Sequence, residues 1–396
     1  MSWGFRVGVS LRQKITVRVF QIGHNGKGIT GMKKIIAGFS CVLILLSVTL
    51  LWAADVDGPD FQRDFEGTVG KGRVQVELTK IGQDLTGSYY YEKYGMPIKL
   101  KGTLLKSRVK LKEEKGATIE GKFDKDGSFQ GLWLSKDRKK SFPVTLKVCL
   151  DTVAFTVYSK DWVRKGKSKL MENCEFGRRY LHPTSYGDNK NLDKIRGAIW
   201  KAFFGDEERA ATKGDPQKAI DLESQQFRTD CLEAEKEGTV AGAHMEMTRT
   251  MRTMFNEKGI LTLEIESWEY MGGIHGDATK SFAVIDLEKG ALLSLKDIFK
   301  DGYDSYLGKI VTEKLKEEVY EMSKVRNLKE AGYPKFKEGS LNDPEFYITD
   351  EGIGFVYNLY TIGNTDQPDI LVPWKGLNKD RFHPEGVVYK LAFGGG

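Results

Sequence analysis

Apolar residues alternate with charged ones from Val74 to Val148, and turn signals interrupt the alternation at close intervals. Side chains on a strand point alternately to its two faces, so this pattern predicts antiparallel strands with one apolar face. Breaks such as Gly70-Lys71-Gly72 and Lys125-Asp126-Gly127 indicate hairpin turns. Seven or eight short strands are expected, and they close most easily into a small barrel, because closure removes exposed strand edges. Bulky residues on the inward side predict a filled barrel, which disfavours a small-ligand carrier.

Helical spacing appears after about residue 190. Asn191 can cap a helix with an apolar stripe, Asp215-Pro216 starts a second helix, and a third runs from about Tyr303. A long hairpin is predicted over 243–270 between the second and third helices. The fold class is therefore α+β: an N-terminal all-β meander or small barrel, then an antiparallel sheet packed with about three helices.

About 340 residues beyond the N-terminal segment exceed what one core usually organises, so two domains are expected, a β-barrel-like one over 61–150 and an α+β one over 151–396. The charged stretch Ser159–Lys169 is expected to be poor in strand and sensitive to protease.

The N-terminal segment has the pattern of an export signal. Residues 1–31 hold basic but no acidic residues and fit a leader, or a misassigned start if translation begins at Met32. Residues 32–54 then combine two lysines, an apolar run and the small pair Ala53-Ala54, as a secretory signal peptide does. An uncleaved membrane anchor is the alternative, because the run is just long enough to span a bilayer. The expected location is periplasmic or extracellular, either free or anchored facing outward.

The overall charge does not indicate a nucleic-acid partner. The chain carries 61 basic and 55 acidic residues, and seven of the basic ones lie within the first 54 positions. The remainder holds 54 basic against 55 acidic residues, so the exported part is close to neutral.

Export also sets the expected state of the cysteines. Cys149, Cys174 and Cys231 follow the signal, so one disulfide and one free thiol are expected in an oxidising compartment. Three pairings are open; Cys174 with Cys231 is favoured because both fall in the second domain. No two of these thiols stand at the short spacing of zinc clusters, and no metal or other cofactor is expected.

One segment carries a family resemblance. It joins the strand-like runs 259–266 and 280–287 through Tyr270-Met271-Gly272-Gly273-Ile274-His275-Gly276-Asp277, and a Gly290 turn and Leu295-Lys296-Asp297-Ile298-Phe299 follow. A late hairpin over 350–357 precedes Ile370-Leu371-Val372-Pro373-Trp374. This order resembles the extracytoplasmic domain of the lysozyme-binding anti-sigma-V factors, an RsiV-like family of largely unknown function that is also fused to some peptidoglycan deacetylases. The resemblance covers roughly 151–396.

The resemblance implies an exported, non-enzymatic cell-envelope binding protein whose partner is lysozyme or another wall hydrolase. Loops at one end of the sheet would dock that partner, with aromatic residues as anchors. The predicted partner-binding residues are Trp268, Tyr270, Ile274, His275, Asp277, Tyr360, Asn364 and Asp366. Gly272, Gly273 and Gly276 are predicted to be structural, in a connection that needs positive φ. The chain shows no cytoplasmic sigma-binding segment, so sensing through a sigma factor is not expected.

His275 is the obvious catalytic candidate, but the sequence offers it no partners. It contains no nucleophile elbow and no His-Glu-x-x-His motif. The preferred interpretation is an imidazole hydrogen-bonded to backbone. A peptidoglycan-acting envelope hydrolase is the alternative function, although the deacetylase motifs of the fused relatives are missing. Tyr90 and Tyr94, on the outward side of a barrel strand, could contact a glycan.

Overall fold

The computed structural model describes residues 58–167, 171–206, 212–237, 243–325, 327–363 and 367–394. The predicted leader and signal segments, 1–31 and 32–54, lie outside these ranges. Within them, no helix combines the length and apolar character that crossing a membrane requires.

Eight antiparallel strands form the N-terminal barrel. They are β1 (Phe61–Val69), β2 (Gly72–Ile81), β3 (Asp84–Tyr91), β4 (Ile98–Leu105), β5 (Arg108–Glu113), β6 (Thr118–Phe123), β7 (Phe129–Leu134) and β8 (Ser141–Val148). Each strand pairs with the next, and β1 also pairs with β8, which closes the barrel. The predicted barrel is therefore confirmed. Strand β1 is the one that alternation did not reveal, because its buried positions are irregularly spaced.

The barrel is filled by its own side chains. Its interior retains a cavity of about 10 Å³, close to the lower limit of roughly 10 to 15 Å³ that a single water molecule needs. Most of the alternating residues predicted to point inward are buried, including Val74, Leu85 and Phe129, but Phe142 is 44% exposed. One interior carboxylate, Glu113, accepts hydrogen bonds from Tyr89 (2.7 Å) and Trp133 (2.6 Å).

The sheet continues beyond the barrel into the second half of the chain. Its further strands are β9 (Ala154–Lys165), β10 (Met171–Ser185), β11 (Ala243–Glu257), β12 (Ile260–Tyr270), β13 (Asp277–Asp286) and β14 (Ala291–Leu292). They follow β1 in the order β9-β10-β11-β12-β13-β14. All these neighbours are antiparallel except β10 and β11, which run parallel, contrary to the all-antiparallel expectation. A parallel pair needs a crossover connection, and helices supply it here.

The described part of that crossover contains two helices, α1 (Leu192–Phe204) and α2 (Pro216–Glu237). The remaining helices are α3 (Leu295–Ile298), α4 (Tyr303–Ser323) and α5 (Val387–Phe393), with a 3₁₀ turn at Lys379–Arg381. A small separate sheet contains β15 (Glu345–Ile348), β16 (Gly352–Val356) and β17 (Asp369–Pro373). The three helices predicted from apolar spacing are thus confirmed as α1, α2 and α4, and the α+β class with them.

The expectation of little strand over Ser159–Lys169 is wrong for its first part. β9 extends to Lys165 because α2 covers its charged residues: Lys160 binds Asp221 at 2.6 Å, and Arg164 binds Glu235. Trp162 adds a hydrogen bond to Ser224 at 2.9 Å. Residues 168–170 lie outside the described ranges. The protease sensitivity of this stretch and the domain boundary near 150 stay predictions.

A disulfide joins Cys174 in β10 to Cys231 in α2, with their Cα atoms 6.5 Å apart. This is the pairing that the sequence favoured. Cys149 is a free, half-buried thiol, and burial raises its pKa to about 11, so it is a thiol and not a thiolate near neutral pH. The disulfide fixes α2 over one face of the sheet.

Candidate partner-binding site

The β12–β13 connection is a short projecting turn. Gly272 and Gly273 have φ values of 85° and 122°, which side-chain-bearing residues rarely adopt, as the strand-connection interpretation requires. Within the turn, the Tyr270 hydroxyl donates a hydrogen bond to the Gly273 carbonyl at 2.8 Å. Gly276 has a different reason to be glycine: a β-carbon there would lie 2.3 Å from the Trp268 ring. These contacts give the turn one defined shape.

Two of the predicted partner-binding residues support the turn from the strand side. Trp268 is half-buried, and its Nε1 donates to Glu246 Oε2 at 2.8 Å. Tyr270 is half-buried too, with its ring centroid 4.9 Å from that of His244. Trp268 and Tyr270 therefore anchor the turn, and only their free edges are available for contact.

The tip of the turn presents its side chains to solvent. Ile274 is 90% exposed, and His275 and Asp277 are exposed as well. The predicted hydrogen bond between the His275 imidazole and backbone is wrong: among the described residues, His275 has no hydrogen-bond or ion-pair partner. The imidazole is exposed to solvent, where water can satisfy its ring nitrogens.

A second loop, described over 358–363 and at Gln367, lies on the same end of the sheet. The Asn358 side chain accepts a hydrogen bond from the Lys280 amide at 2.8 Å and donates one to the Lys280 carbonyl at 2.9 Å. Gln367 donates to the Ala278 carbonyl at 2.8 Å. Side-chain amides thus hold the loop against the first residues of β13, directly after the projecting turn.

Tyr360 lies in this second loop and is 51% exposed, at a φ of 68°. Its carbonyl accepts a hydrogen bond from Lys335 Nζ at 3.0 Å. Asn364 and Asp366, also predicted from the sequence, lie outside the described residues. The structure therefore brings the turn at 270–277 and the Tyr360 loop to one edge. We call this edge the loop surface, defined by Met271, Ile274, His275, Asp277 and Tyr360.

Asn358 and Gln367 are the residues of this edge that sequence reasoning missed. They make the contacts that join the two loops, but isolated amides in a loop carry no periodic or motif signal. The described residues contain no group of three or more His, Cys, Asp or Glu that could hold a metal ion.

Comparison with known proteins shows that part of this region matches a protein family. The family DUF3298, described as proteins of unknown function, matches residues 296–375. Residues 296–375 are a DUF3298 domain. This domain runs from α3 through β17 and contains the 358–367 loop, whereas the turn at 270–277 precedes it. The resemblance to the lysozyme-binding anti-sigma-V factors stays a prediction.

A solved structure of a DUF3298 protein shares the fold. A DUF3298 family member from Bacteroides fragilis NCTC 9343 aligns with a TM-score of 0.50 and 22% identity, over 62% of this chain and 100% of its own. A DUF3298 family protein from Pseudomonas aeruginosa PAO1 aligns with a TM-score of 0.37 and 16% identity, over 60% of this chain and 97% of its own. No protein with curated annotation matches. At such identity the first alignment supports a common fold and says nothing of function.

Proposed function

We propose that this chain is an exported, non-enzymatic binding protein of the cell envelope, and that its loop surface docks a protein partner. The observation that carries the proposal is Ile274, an isoleucine 90% exposed at the tip of a turn that is held in one shape. Burying such a side chain in a partner's pocket removes apolar surface from water, at about 25 cal/mol per Å².

The shape of the turn supports this role. Association costs free energy when a loop must be ordered on binding, and a loop that is already ordered avoids part of that cost. The hydrogen bond from Tyr270 to Gly273 and the packing of Trp268 on Gly276 restrain the turn without a partner. Tyr360, from the second loop, adds an exposed aromatic ring to the same edge.

The charges at this edge favour a basic partner. Asp277 and Glu269 are exposed there, and the Glu246 carboxylate lies behind them. Carboxylates around an apolar anchor steer a basic protein towards it and fix its orientation. Lysozyme, which the family resemblance implies, is such a protein, and another basic wall hydrolase would fit the same surface.

Binding to lysozyme is the direct test. Ile274→Ser should weaken the affinity about tenfold or more, since truncating a central anchor typically costs over 1 kcal/mol. Leu105→Ser is the matched control, because Leu105 is an exposed apolar residue, 50% accessible, at the end of β4 in the barrel. Calorimetry of both variants, with thermal unfolding to confirm the fold, distinguishes them. Equal affinities for the two variants would refute docking through the loop surface.

A second experiment covers the case in which lysozyme does not bind. A photo-crosslinking residue at position 274, in the exported protein in intact envelopes, should give a defined adduct with a basic wall hydrolase. The same residue at position 105 should not. Adducts that are identical at both positions, or absent at position 274, would rule out the proposal.

A further inference from the structure

A groove lies between α2 and strands β10 to β12, next to the projecting turn: Trp268 and Glu269, near the end of β12, line it as well. It encloses about 620 Å³, within the roughly 300 to 1,000 Å³ typical of small-ligand sites. It is lined by Arg178, Leu222, Phe227, Met247, Arg249 and Glu269, among others. The disulfide from β10 to α2 holds the two walls together.

Two arginines stand side by side in this groove. Arg178 of β10 and Arg249 of β11 are direct partners in the parallel register, and like charges so placed on neighbouring strands destabilise a sheet. Burial lowers the pKa of the Arg178 guanidinium, Glu223 opposes that shift, and the charge of Arg249 adds to it. Glu223 offsets the charge of Arg178, whereas Arg249 has no ion-pair partner among the described residues, so a carboxylate beside Arg249 would reduce the remaining repulsion between the two guanidinium groups.

Both guanidinium groups are already oriented. The Arg178 side chain is 3% exposed; its Nε donates to Glu223 at 2.7 Å and its Nη1 to the Met247 carbonyl at 3.2 Å. Arg249 donates from Nε to Ser267 Oγ at 3.3 Å and from Nη1 to the Phe203 carbonyl at 2.9 Å. A planar guanidinium that is fixed at one side presents its remaining N–H groups in a defined direction, which suits a carboxylate.

The remaining lining restricts the ligand further. Leu222 on α2 is 46% exposed and, with Phe227 and Met247, gives the groove an apolar wall. Glu223, Asp230 and Glu269 also line it; Glu223 is paired with Arg178, and the negative charges of Asp230 and Glu269 disfavour a polyanion. The groove thus combines a cationic pair, an apolar wall and repulsion of multiply charged anions.

We propose that this groove binds a small organic molecule through a single carboxylate, held between Arg178 and Arg249, with the apolar body of the ligand against Leu222. A short peptide with a free C-terminal carboxylate has this chemistry. The residues that would bind the carboxylate, Arg178 and Arg249, are not among those that define the loop surface.

The test uses N-acetyl-leucyl-alanine and its C-terminal amide as probes, added to the purified full chain and followed by calorimetry. The acid should bind about tenfold more tightly than the amide, because hydrogen bonds to a charged group are the stronger kind. Inorganic phosphate should not displace it. The proposal is overturned if acid and amide bind equally, if neither binds at millimolar concentration, or if phosphate competes as well as the acid.

Variants place the binding in the groove. Arg249→Gln should abolish the preference for the acid, while Lys218→Gln, which removes an exposed charge of α2 outside the groove lining, should preserve it. Retained preference in Arg249→Gln refutes the site. If that variant does not fold, the comparison of acid and amide on the unmodified chain still decides whether the protein recognises the carboxylate. Ile274→Ser should leave probe binding unchanged, so failure of the loop-surface proposal and failure of this one are distinguishable.

Discussion

The side-chain amide of Asn256 donates a hydrogen bond to the carboxylate of Asp64, at 2.8 Å. Asp64 lies on β1 of the barrel and Asn256 near the end of β11, so the bond ties the barrel to the long hairpin. Asn256 is buried and also accepts from the Val153 amide at 2.9 Å. Beside this contact lies a cleft of about 870 Å³ lined by further carboxylates, among them Glu66, Glu77, Glu92, Asp151, Glu257 and Asp350.

Because of the carboxylates in this cleft, we expect the free energy of unfolding to fall as the pH rises. Burial, and then the charge of Glu77, raises the pKa of Asp64 to about 7 from an ordinary value of 3.8. The folded state therefore binds more protons than the unfolded state between these values, so the free energy of unfolding decreases from about pH 4 to about pH 8. The pKa values of Glu77 and Glu257 are raised as well, and they act in the same direction.

Asp64→Asn should flatten this dependence by on the order of 2 to 3 kcal/mol between pH 5 and pH 8, the part of the free-energy equivalent of the pKa shift that falls in this range. Urea unfolding at pH 5 and pH 8 measures it. Asp84→Asn, at an exposed carboxylate of β3, is the control and should keep the slope of the unmodified protein. An unchanged slope in Asp64→Asn would contradict the prediction.

The glycines of the β12–β13 turn should differ in how they tolerate alanine. Gly273→Ala meets no atom within 4 Å but must hold a φ of 122°, at a cost of about 1 kcal/mol. Gly276→Ala places its β-carbon against the Trp268 ring, which is held by Glu246, so the ring must move, at a cost of about 1 to 3 kcal/mol. Chemical denaturation of both variants gives the order. If Gly276→Ala is as stable as the unmodified chain, the Trp268 ring moves without cost and the prediction is wrong.

The disulfide should contribute strongly to stability. Replacing Cys174 and Cys231 together by serine should lower the free energy of unfolding by about 2 to 4 kcal/mol, because the crosslink closes a long segment of the unfolded chain. Cys149→Ser is the matched control and should cost about 1 kcal/mol or less, since this half-buried thiol makes no crosslink. A smaller loss in the double variant than in the control would disprove the expectation.

Glu113 should be the most sensitive polar position of the barrel. Glu113→Ala leaves the Tyr89 hydroxyl and the Trp133 indole N–H without their acceptor and should cost about 2 to 4 kcal/mol. Glu113→Gln keeps an acceptor oxygen and should cost less. Thermal unfolding of the two variants, with Glu114→Ala at the exposed neighbouring position as control, measures the difference. Equal losses for Ala and Gln would show that the hydrogen bonds contribute little.

Local patterns in the sequence were sufficient for much of the fold. Alternation from Val74 onward predicted which barrel residues face inward. Successive side chains on a strand point to opposite faces, and the apolar face is the one buried from water. Apolar spacing located α1, α2 and α4, and glycine identity indicated the positive φ values at Gly272 and Gly273. Each of these patterns spans only a few neighbouring residues, so it can be recognised from the sequence alone.

Contacts between distant segments were decided only by the tertiary structure. The pairing of Arg178 with Arg249 depends on the parallel register of β10 and β11, which a long helical crossover separates. The loop surface depends on Asn358 reaching the backbone of Lys280. The strand over Ser159–Lys165 was missed because its charged residues are held by α2. In each case the contact joins groups that are far apart in the chain. A local sequence pattern does not predict which distant groups come into contact.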